Sequence, residues 1–455
     1  MIENNKLTEG NIFKKLIILA LPIMGTSFVQ MAYNMIDMIW IGRIGSKAVA
    51  AVGTAGFFTW LAMAFILIPK IGAEIFISQS VGKKDIDSAK SYARHAIQLN
   101  IFLALVYGIL LILFRKQLIG FFNLGNSEVI NMAISYLVIV SIGMNFYFIN
   151  PIFTAIYNGY GNSKTPFMIN TVGLVVNMIF DPVLIFGMGP FPALGVKGAA
   201  IATVGAQLIV TLIFIVSVKR KMVLFEGFDL FQLPDMKKIK SIMKLGLPVA
   251  FNSGLFSIFA MFIARIIAQW GPIPIAVQKV GSQIEAISWM TANGFSTAIG
   301  TFVGQNYGAK KWDRIYKGYF ISLGIVSVIG IGATALLVFG AKPIFSIFIP
   351  EKEAIKYGVV YLRILGLSQL FMCLEITTSG AFNGLGKTIP PSIVSILFTG
   401  LRVPAAMILS SSNLLGLEGV WWAISISSIV KGIILVGWFT ILMRRMKKSL
   451  HLKSY

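Results

Sequence analysis

The stretch ALPIMGTSFVQMAYNMIDMIWIG, residues 20–42, places Asp37 inside an apolar segment that is long enough to cross a membrane. A second segment of this kind, PFMINTVGLVVNMIFDPVLIFG at residues 166–187, contains Asp181. A carboxylate at that depth is costly, so it indicates an ion site, a proton site or a substrate pathway. The two segments therefore predict both a membrane fold and a charged site within it.

Apolar segments recur along the whole chain. Of the 455 residues, 56% are hydrophobic and only 12% are charged, which is about half the charged fraction of a soluble protein. The segments are continuous rather than alternating, which favours helices over a β-barrel. We predict an all-α polytopic membrane protein with twelve transmembrane helices, near residues 14–40, 48–80, 88–114, 129–158, 166–187, 196–219, 240–270, 275–307, 315–340, 355–382, 389–411 and 419–443.

The net charge of +22 is divided unevenly between the two sides of the predicted membrane. With the N-terminus inside, the termini and the loops on that side hold roughly 25 Lys and Arg residues, against about 8 on the other side. This asymmetry predicts that both termini are cytoplasmic. We interpret the basic runs as topology signals and contacts with the lipid bilayer, because no aromatic-interleaved basic motif supports nucleic-acid binding.

The two halves of the chain resemble each other at an offset of about 226 residues. The matches include Leu21-Pro22 with Leu247-Pro248, SQSVGKK (78–84) with GQNYGAKK (304–311), and YNGYG (157–161) with FNGLG (382–386). We predict two six-helix bundles, residues 1–221 and 240–455, joined by a cytoplasmic linker at 222–239. A pseudo-two-fold axis along the membrane normal should relate them. This plan favours an alternating-access transporter over a channel, since no filter-like sequence is present.

Polar residues share one face on each of three predicted helices. They are Gln30, Tyr33, Asn34 and Asp37 on the first, Asn170, Asn177 and Asp181 on the fifth, and Thr203 and Gln207 on the sixth. Their oxygens suit a sodium ion, and two close carboxylates resist joint ionisation, so a shared proton suits them equally. The alternative is that both acids are merely satisfied internal hydrogen-bonding groups. Pro182 follows Asp181 and predicts a helix bend beside it.

Comparison of the two repeats indicates that these acids are not required by the fold itself. Its alignment matches Pro182 with Pro404, but it matches Asp181 with Val403. Asp37 falls against the apolar stretch around Ile263. Because the proline is kept while the acids occur in one half only, we predict that the coupling site lies in the N-terminal bundle.

Polar and charged side chains also occur in predicted helices of the second half. The candidates are Gln278, Lys279, Gln283 and Glu285 in the eighth helix, with Glu375, Arg265, Arg402 and Lys431 elsewhere in that half. We interpret them as neutralising pairs that hold the C-terminal bundle together. A second polar site, or contacts between the bundles, is the alternative.

Motifs of enzymes and of bound cofactors are missing from the sequence. The GKT at 386–388 lacks the preceding glycine of a phosphate loop, because that position is Ala381. One cysteine, Cys373, and two histidines support neither an internal disulfide nor a cysteine or histidine metal cluster. We predict no enzyme activity, no cofactor and no metal other than sodium, with transport driven by a cation gradient.

Taken together, the motifs resemble the MATE (multidrug and toxin extrusion) family. The resemblance extends over nearly the whole chain, and the paired N-terminal aspartates are similar to its DinF-like prokaryotic branch. It is carried by NMIDMIWIG, NMIFDPVLIFG, GVKGAAIAT and IEAISWMTANGFSTAIGTFVGQNYGAKK. It implies a V-shaped pair of bundles in a prokaryotic inner membrane, exporting organic, often cationic, drug-like compounds in exchange for H⁺ or Na⁺ by alternating access.

The resemblance also implies residue roles. The H⁺ or Na⁺ coupling site would be Asp37, Asn177, Asp181 and Thr203, and the substrate pathway would include Gln30, Tyr33, Asn34 and Tyr136. The NorM-type branch has an acid in helix 7, whereas this chain reads LPVAFNSGLFSIFAMFIARI (247–266), and the role of Glu285 stays open. We expect a monomer. The alternative functions are a lipid or lipid-linked saccharide flippase and a polytopic membrane enzyme.

Overall fold

The computed structural model describes residues 7–411 and 413–451, apart from the side chains of Lys221 and residues 447–451. This part of the chain contains helices and no strand, which confirms the predicted all-α class. Residues 1–6 and 452–455, which include both termini predicted to be cytoplasmic, lie outside the described residues.

Sixteen α-helices follow one another over the described ranges. The first eight are α1 (Ile12–Ile44), α2 (Ser46–Gly82), α3 (Ile86–Leu113), α4 (Arg115–Gly120), α5 (Ser127–Ile142), α6 (Met144–Tyr160), α7 (Lys164–Phe186) and α8 (Val196–Lys221). The others are α9 (Met236–Ile267), α10 (Pro272–Gly308), α11 (Trp312–Phe339), α12 (Ala341–Phe348), α13 (Lys352–Gly366), α14 (Gln369–Gly384), α15 (Ile389–Leu409) and α16 (Leu417–His451).

Most of the predicted membrane spans correspond to single helices. Within the described residues, nine helices are long and apolar enough to cross a membrane, and two bent pairs raise the number to eleven. The remaining predicted span is α10, which has 37 residues but carries Lys279, Gln283 and Glu285 in its first half. Its polarity, not its length, distinguishes it from the other eleven.

Two predicted spans are broken rather than continuous. The span near 129–158 consists of α5 and α6, bent by 50°, and the span near 355–382 consists of α13 and α14, bent by 48°. Gly143 lies at the first break, where an added Cβ would come within 2.5 Å of a Val204 methyl group. A residue without a side chain therefore lets α8 approach the backbone at the bend.

The chain divides into two compact units. The N-terminal unit comprises Leu21–Ala250, and the C-terminal unit comprises Leu7–Ala20 together with the described residues from Phe251 onward. Helices α1 and α9 therefore each contribute to both units. Each passes from one unit to the other next to a repeated Leu-Pro pair, and the predicted linker of residues 222–239 falls inside the N-terminal unit.

Hydrogen bonds attach the segment before α1 to the C-terminal unit. The Arg314 guanidinium donates to the carbonyl oxygens of Gly10 at 2.9 Å and Leu7 at 3.0 Å. Lys311 Nζ donates to the Thr8 carbonyl at 2.9 Å. These contacts explain why the first turns of α1 belong to the unit that contains the second half of the chain.

The linker is held in a similar way by α3. Gln98 Nε2 donates to the carbonyls of Leu230 and Gln232, both at 2.8 Å. The buried ring of His95 accepts the Asp235 backbone N–H through Nε2 at 2.8 Å. His95 is thus a packing residue of the linker.

Close helix contacts within each unit depend on small residues. In the N-terminal unit, a Cβ added to Gly246 on α9 would lie 2.0 Å from the Ile68 carbonyl oxygen on α2. In the C-terminal unit, a Cβ on Gly380 of α14 would lie 2.1 Å from the Ser296 carbonyl oxygen on α10. Backbone cannot move aside as a flexible side chain does, so these glycines set the spacing of the helices.

We therefore expect Gly246→Ala to destabilise the folded protein by about 1–3 kcal/mol through overpacking. Gly254→Ala on the same helix is the matched control, because an added Cβ there meets nothing within 4 Å. Thermal unfolding of both purified variants in detergent measures the difference. Equal midpoints for the two variants would show that the α2–α9 contact does not limit stability.

Candidate functional site

Three helices of the N-terminal unit supply the residues that the sequence singled out. Asp37 comes from α1, Asn177 and Asp181 come from successive turns of α7, and Thr203 comes from α8. The carboxyl groups of Asp37 and Asp181 lie close enough to interact with each other. Asn177 Nδ2 donates to Asp181 Oδ1 at 2.9 Å. The structure thus brings together acids that are more than 140 residues apart in the chain.

Tyr33 ties this cluster to α8. Its hydroxyl donates to the Thr203 carbonyl at 3.4 Å and lies beside both carboxylates. The Gln207 side chain also lies near this hydroxyl. Because Tyr33 and Asp37 are one turn apart on α1, a single helix face presents both the acid and the hydroxyl to α7 and α8.

Four oxygens of the cluster lack a donor. Asp37 Oδ1, Asn177 Oδ1, Asp181 Oδ2 and Thr203 Oγ1 are buried and have no hydrogen-bond partner among the described residues. Asn177 and Asp181 are fully buried. Buried polar atoms are normally paired, so four unpaired acceptors in one place indicate a missing positive charge or proton.

The chemistry of these atoms limits what completes the cluster. Carboxylate, amide and hydroxyl oxygens are hard donors, which suit a small hard cation. A proton shared between the two acids removes the repulsion between the carboxylates in the same way. No group of three or more His, Cys, Asp and Glu residues suited to a metal ion occurs over residues 7–411 and 413–451.

The residues expected along a substrate pathway divide into two pairs. Tyr33 and Tyr136 lie close enough to the two carboxyl groups to interact with them electrostatically, and Tyr136 is only 6% exposed. Gln30 and Asn34 are exposed on α1. The two tyrosines therefore form part of the acid cluster itself. Pro182 lies inside the continuous helix α7, and the bend expected there stays a prediction.

A neighbouring polar network escaped the reading of the sequence. Asn150 Nδ2 donates to Gln207 Oε1 at 2.7 Å, and Thr211 Oγ1 donates to Asn150 Oδ1 at 2.8 Å. Gln207 thereby connects the network to Tyr33. The available signal was the spacing of Thr203, Gln207 and Thr211, which places a hydroxyl or amide on every turn of α8.

The polar candidates of the C-terminal unit do not form one cluster. Glu285 accepts the Tyr361 hydroxyl at 2.5 Å and Gln369 Nε2 at 3.1 Å. Gln278 accepts the indole N–H of Trp421 at 3.1 Å. Lys279 and Gln283 are exposed on the same helix. Helical spacing alone did not reveal that these four side chains point in different directions.

Two further charges of the C-terminal unit form a buried ion pair. Lys431 Nζ on α16 lies 2.9 Å from Glu375 Oε1 on α14, with side-chain exposures of 6% and 9%. Arg402 on α15 donates instead to the hydroxyls of Ser427 at 2.8 Å and Ser428 at 3.4 Å. The pair between Lys431 and Glu375 is a neutralising contact of the kind expected for this bundle.

Comparison with known proteins identifies relatives of the whole chain. The sequence profile of the MatE family matches residues 22–183 and 248–408, so each match begins at the proline of a repeated Leu-Pro pair. The probable multidrug resistance protein NorM of Thermotoga maritima is 30% identical over 421 residues, covering 90% of this chain and 88% of that protein. The probable multidrug resistance protein YoeA of Bacillus subtilis is 25% identical over 95% of both chains.

Solved structures share the fold. The crystal structure of MATE in the bent conformation is 24% identical, with a TM-score of 0.91 over 99% of both chains. The outward-facing conformation of a multidrug resistance MATE family transporter is also 24% identical, with a TM-score of 0.89 over 98% of this chain and 99% of that one. The twelve-helix, two-bundle fold predicted from the sequence is therefore confirmed.

The buried ion pair makes a quantitative test of the second bundle possible. Lys431→Met should cost about 3–5 kcal/mol of stability, because it leaves the Glu375 carboxylate buried without its partner. The double variant Lys431→Met, Glu375→Leu should recover most of that loss. Thermal unfolding in detergent measures both.

The control is the Lys47–Glu128 pair, whose side chains are 57% and 61% exposed. Lys47→Met should change stability by less than about 1 kcal/mol, since solvent screens an exposed pair. A double variant as unstable as Lys431→Met alone would show that packing, and not the lost charge partner, causes the destabilisation.

Proposed function

Because this chain belongs to the MatE family of multidrug and toxin extrusion transporters, we propose that it exports drug-like organic compounds and that the Asp37–Asp181 pair couples this export to a cation. The names of the relatives favour multidrug efflux over a lipid or lipid-linked saccharide flippase. Family members are transporters, in agreement with the expectation that this chain is not an enzyme.

One observation carries the assignment of the coupling site. Asp37 and Asp181 lie close together, and each has one buried carboxylate oxygen without a donor. Asn177 and Thr203 add two more unpaired oxygens beside them. A purely structural pair would have its acceptors matched by donors, as Glu285 has.

The coupling follows from competition for this cluster. A proton or a sodium ion at the pair removes the repulsion between two carboxylates on α1 and α7. An organic cation in the same unit offers an alternative neutralising charge. If only one of them is held at a time, release of the coupling ion and binding of the substrate are linked, and the link acts in both directions. No cofactor is needed beyond H⁺ or Na⁺.

The expected surroundings are the inner membrane of a prokaryote, with the protein monomeric and both termini cytoplasmic. The relatives are bacterial proteins, and the described helices are apolar enough to span a membrane. The basic linker before α9 lies on the same side as the termini in this topology. The short loop between α7 and α8 lies on the opposite side, because α8 separates the two.

Labelling of introduced cysteines checks this topology. Cys373 is buried and is removed as Cys373→Ala, and then Met188→Cys and Leu233→Cys are made singly. Met188 and Leu233 are 51% and 88% exposed, so both positions are reachable by reagent. A membrane-impermeant maleimide should label Met188→Cys in intact cells but Leu233→Cys only after permeabilisation. The reverse pattern would invert the proposed orientation.

Transport in proteoliposomes tests the coupling site. Efflux of ethidium is measured under a sodium gradient at equal pH, and then under a pH gradient at equal sodium. We expect one of the two gradients to drive wild-type transport. Asp37→Asn and Asp181→Asn should each lower gradient-driven transport at least about tenfold, because an amide neither ionises nor carries a proton.

The exposed acid variant Glu128→Gln serves as the control and should transport normally. Exchange of labelled for unlabelled ethidium without a gradient separates coupling from substrate binding, since a variant that has lost only its coupling still exchanges. Wild-type transport rates in both aspartate variants would remove the pair from the mechanism.

A further inference from the structure

The C-terminal unit contains four charged side chains at membrane depth that the proposed coupling does not use. They are Glu285, Glu375, Arg402 and Lys431, from helices α10, α14, α15 and α16. Charges in membrane helices are expensive, so each needs a partner or a role. Their direct contacts differ in a way that singles out one of them.

Three of the four have strong direct partners. Both oxygens of Glu285 accept hydrogen bonds, from Tyr361 and from Gln369. Glu375 and Lys431 form an ion pair with 2.9 Å between Nζ and Oε1. Each of these three side chains thus has either an ion-pair partner or a hydrogen bond at both carboxylate oxygens.

Arg402 is different. Its guanidinium donates through Nε to Ser427 and through Nη2 to Ser428, both of which are neutral hydroxyls. It makes no ion pair within 4 Å in the described part of the chain. Its Nη1 group has no hydrogen-bond partner there and is not among the fully buried atoms, so it keeps accessible surface.

The position of Arg402 excludes an ordinary headgroup contact. On the 21-residue helix α15, it lies about 20 Å from the Ile389 end and about 10 Å from the Leu409 end, at 1.5 Å per residue. Both serine contacts direct the guanidinium towards α16 and not along α15 to the membrane surface. The charge is therefore held inside the bundle.

We propose that Arg402 binds the carboxylate of a zwitterionic substrate, an inference that rests on the proposed export of drug-like compounds. A planar guanidinium with free N–H groups matches a carboxylate with two parallel hydrogen bonds, and an ionised acceptor binds it more strongly than serine hydroxyls do. The carboxyl groups of Glu375 and Glu285 both lie near Arg402, and Lys431 pairs with the first of them. A ligand that also carries a positive charge is thus favoured over a simple anion.

Binding of a fluoroquinolone zwitterion and of its methyl ester tests the assignment. Affinities are measured from drug fluorescence with purified protein in detergent and no gradient. Wild type should bind the acid about tenfold or more tightly than the ester, which corresponds to about 1.4 kcal/mol. Arg402→Gln should reduce the affinity for the acid to that for the ester and leave the ester unchanged.

Arg402→Lys keeps the positive charge but loses the planar pair of N–H groups. It should therefore lower the ratio of acid affinity to ester affinity several-fold. It also covers the case in which Arg402→Gln does not fold. Arg265→Gln is the matched control, because Arg265 is an exposed arginine of the same unit. It should leave both affinities as in wild type.

Equal loss for acid and ester in Arg402→Gln would overturn the proposal, because it would indicate a structural role. An unchanged acid-to-ester ratio in Arg402→Lys, or no discrimination by wild type, would overturn it as well. These measurements need no transport, so a failure of gradient-driven export in proteoliposomes remains distinguishable from a failure here.

Discussion

The cost of an unpaired charge in hydrocarbon governs this structure. A membrane helix pairs its backbone N–H and C=O groups within itself. Polar side chains have no such internal partner and must form hydrogen bonds or ion pairs inside the bundle. In the N-terminal unit, Asn177 donates to one oxygen of Asp181, while Asp37 Oδ1 and Asp181 Oδ2 have no hydrogen-bond partner among the described residues. In the C-terminal unit, Glu375 Oε1 pairs with Lys431. The first arrangement leaves buried oxygens unpaired, and the second joins two helices through an ion pair.

The two halves are repeats of one six-helix unit, but their buried acids come from different helices. Tyr136 and Tyr361 lie the same number of residues before the repeated NG motifs. Tyr136 lies beside Asp37 and Asp181, whereas Tyr361 donates to Glu285. Alignment of the repeats had suggested that the second half lacks acids at matched positions, and that is correct position by position. Glu285 on α10 nevertheless accepts a hydrogen bond from Tyr361, the tyrosine equivalent to Tyr136. Helices that pack together contribute side chains from more than one face.

Part of the proposed coupling site was accessible from spacing. Asn177 and Asp181 are one turn apart and share a helix face, whereas the set of Asp37, Asn177, Asp181 and Thr203 came from the resemblance to the MATE family. The Asn150–Thr211 contact and the exposure of Lys279 and Gln283 were not accessible in this way. Periodicity tells which residues of one helix share a face, but the rotation of that helix against its neighbours depends on packing. That packing is set by close contacts such as Gly246 against the Ile68 carbonyl.

The helical membrane fold, the internal duplication and the charged residues at membrane depth were all predictable from the order of the amino acids. The length of apolar segments, the charge asymmetry and the repeated motifs are local or statistical properties. They can be read without knowing which residues are in contact. Which of these charges have partners depends on how the helices pack. Asp181, Glu285 and Arg402 look alike in sequence, as charges within predicted membrane helices. They differ because a hydrogen bond or an ion pair requires atoms within a few ångströms, and the helices that supply those atoms lie far apart in the chain.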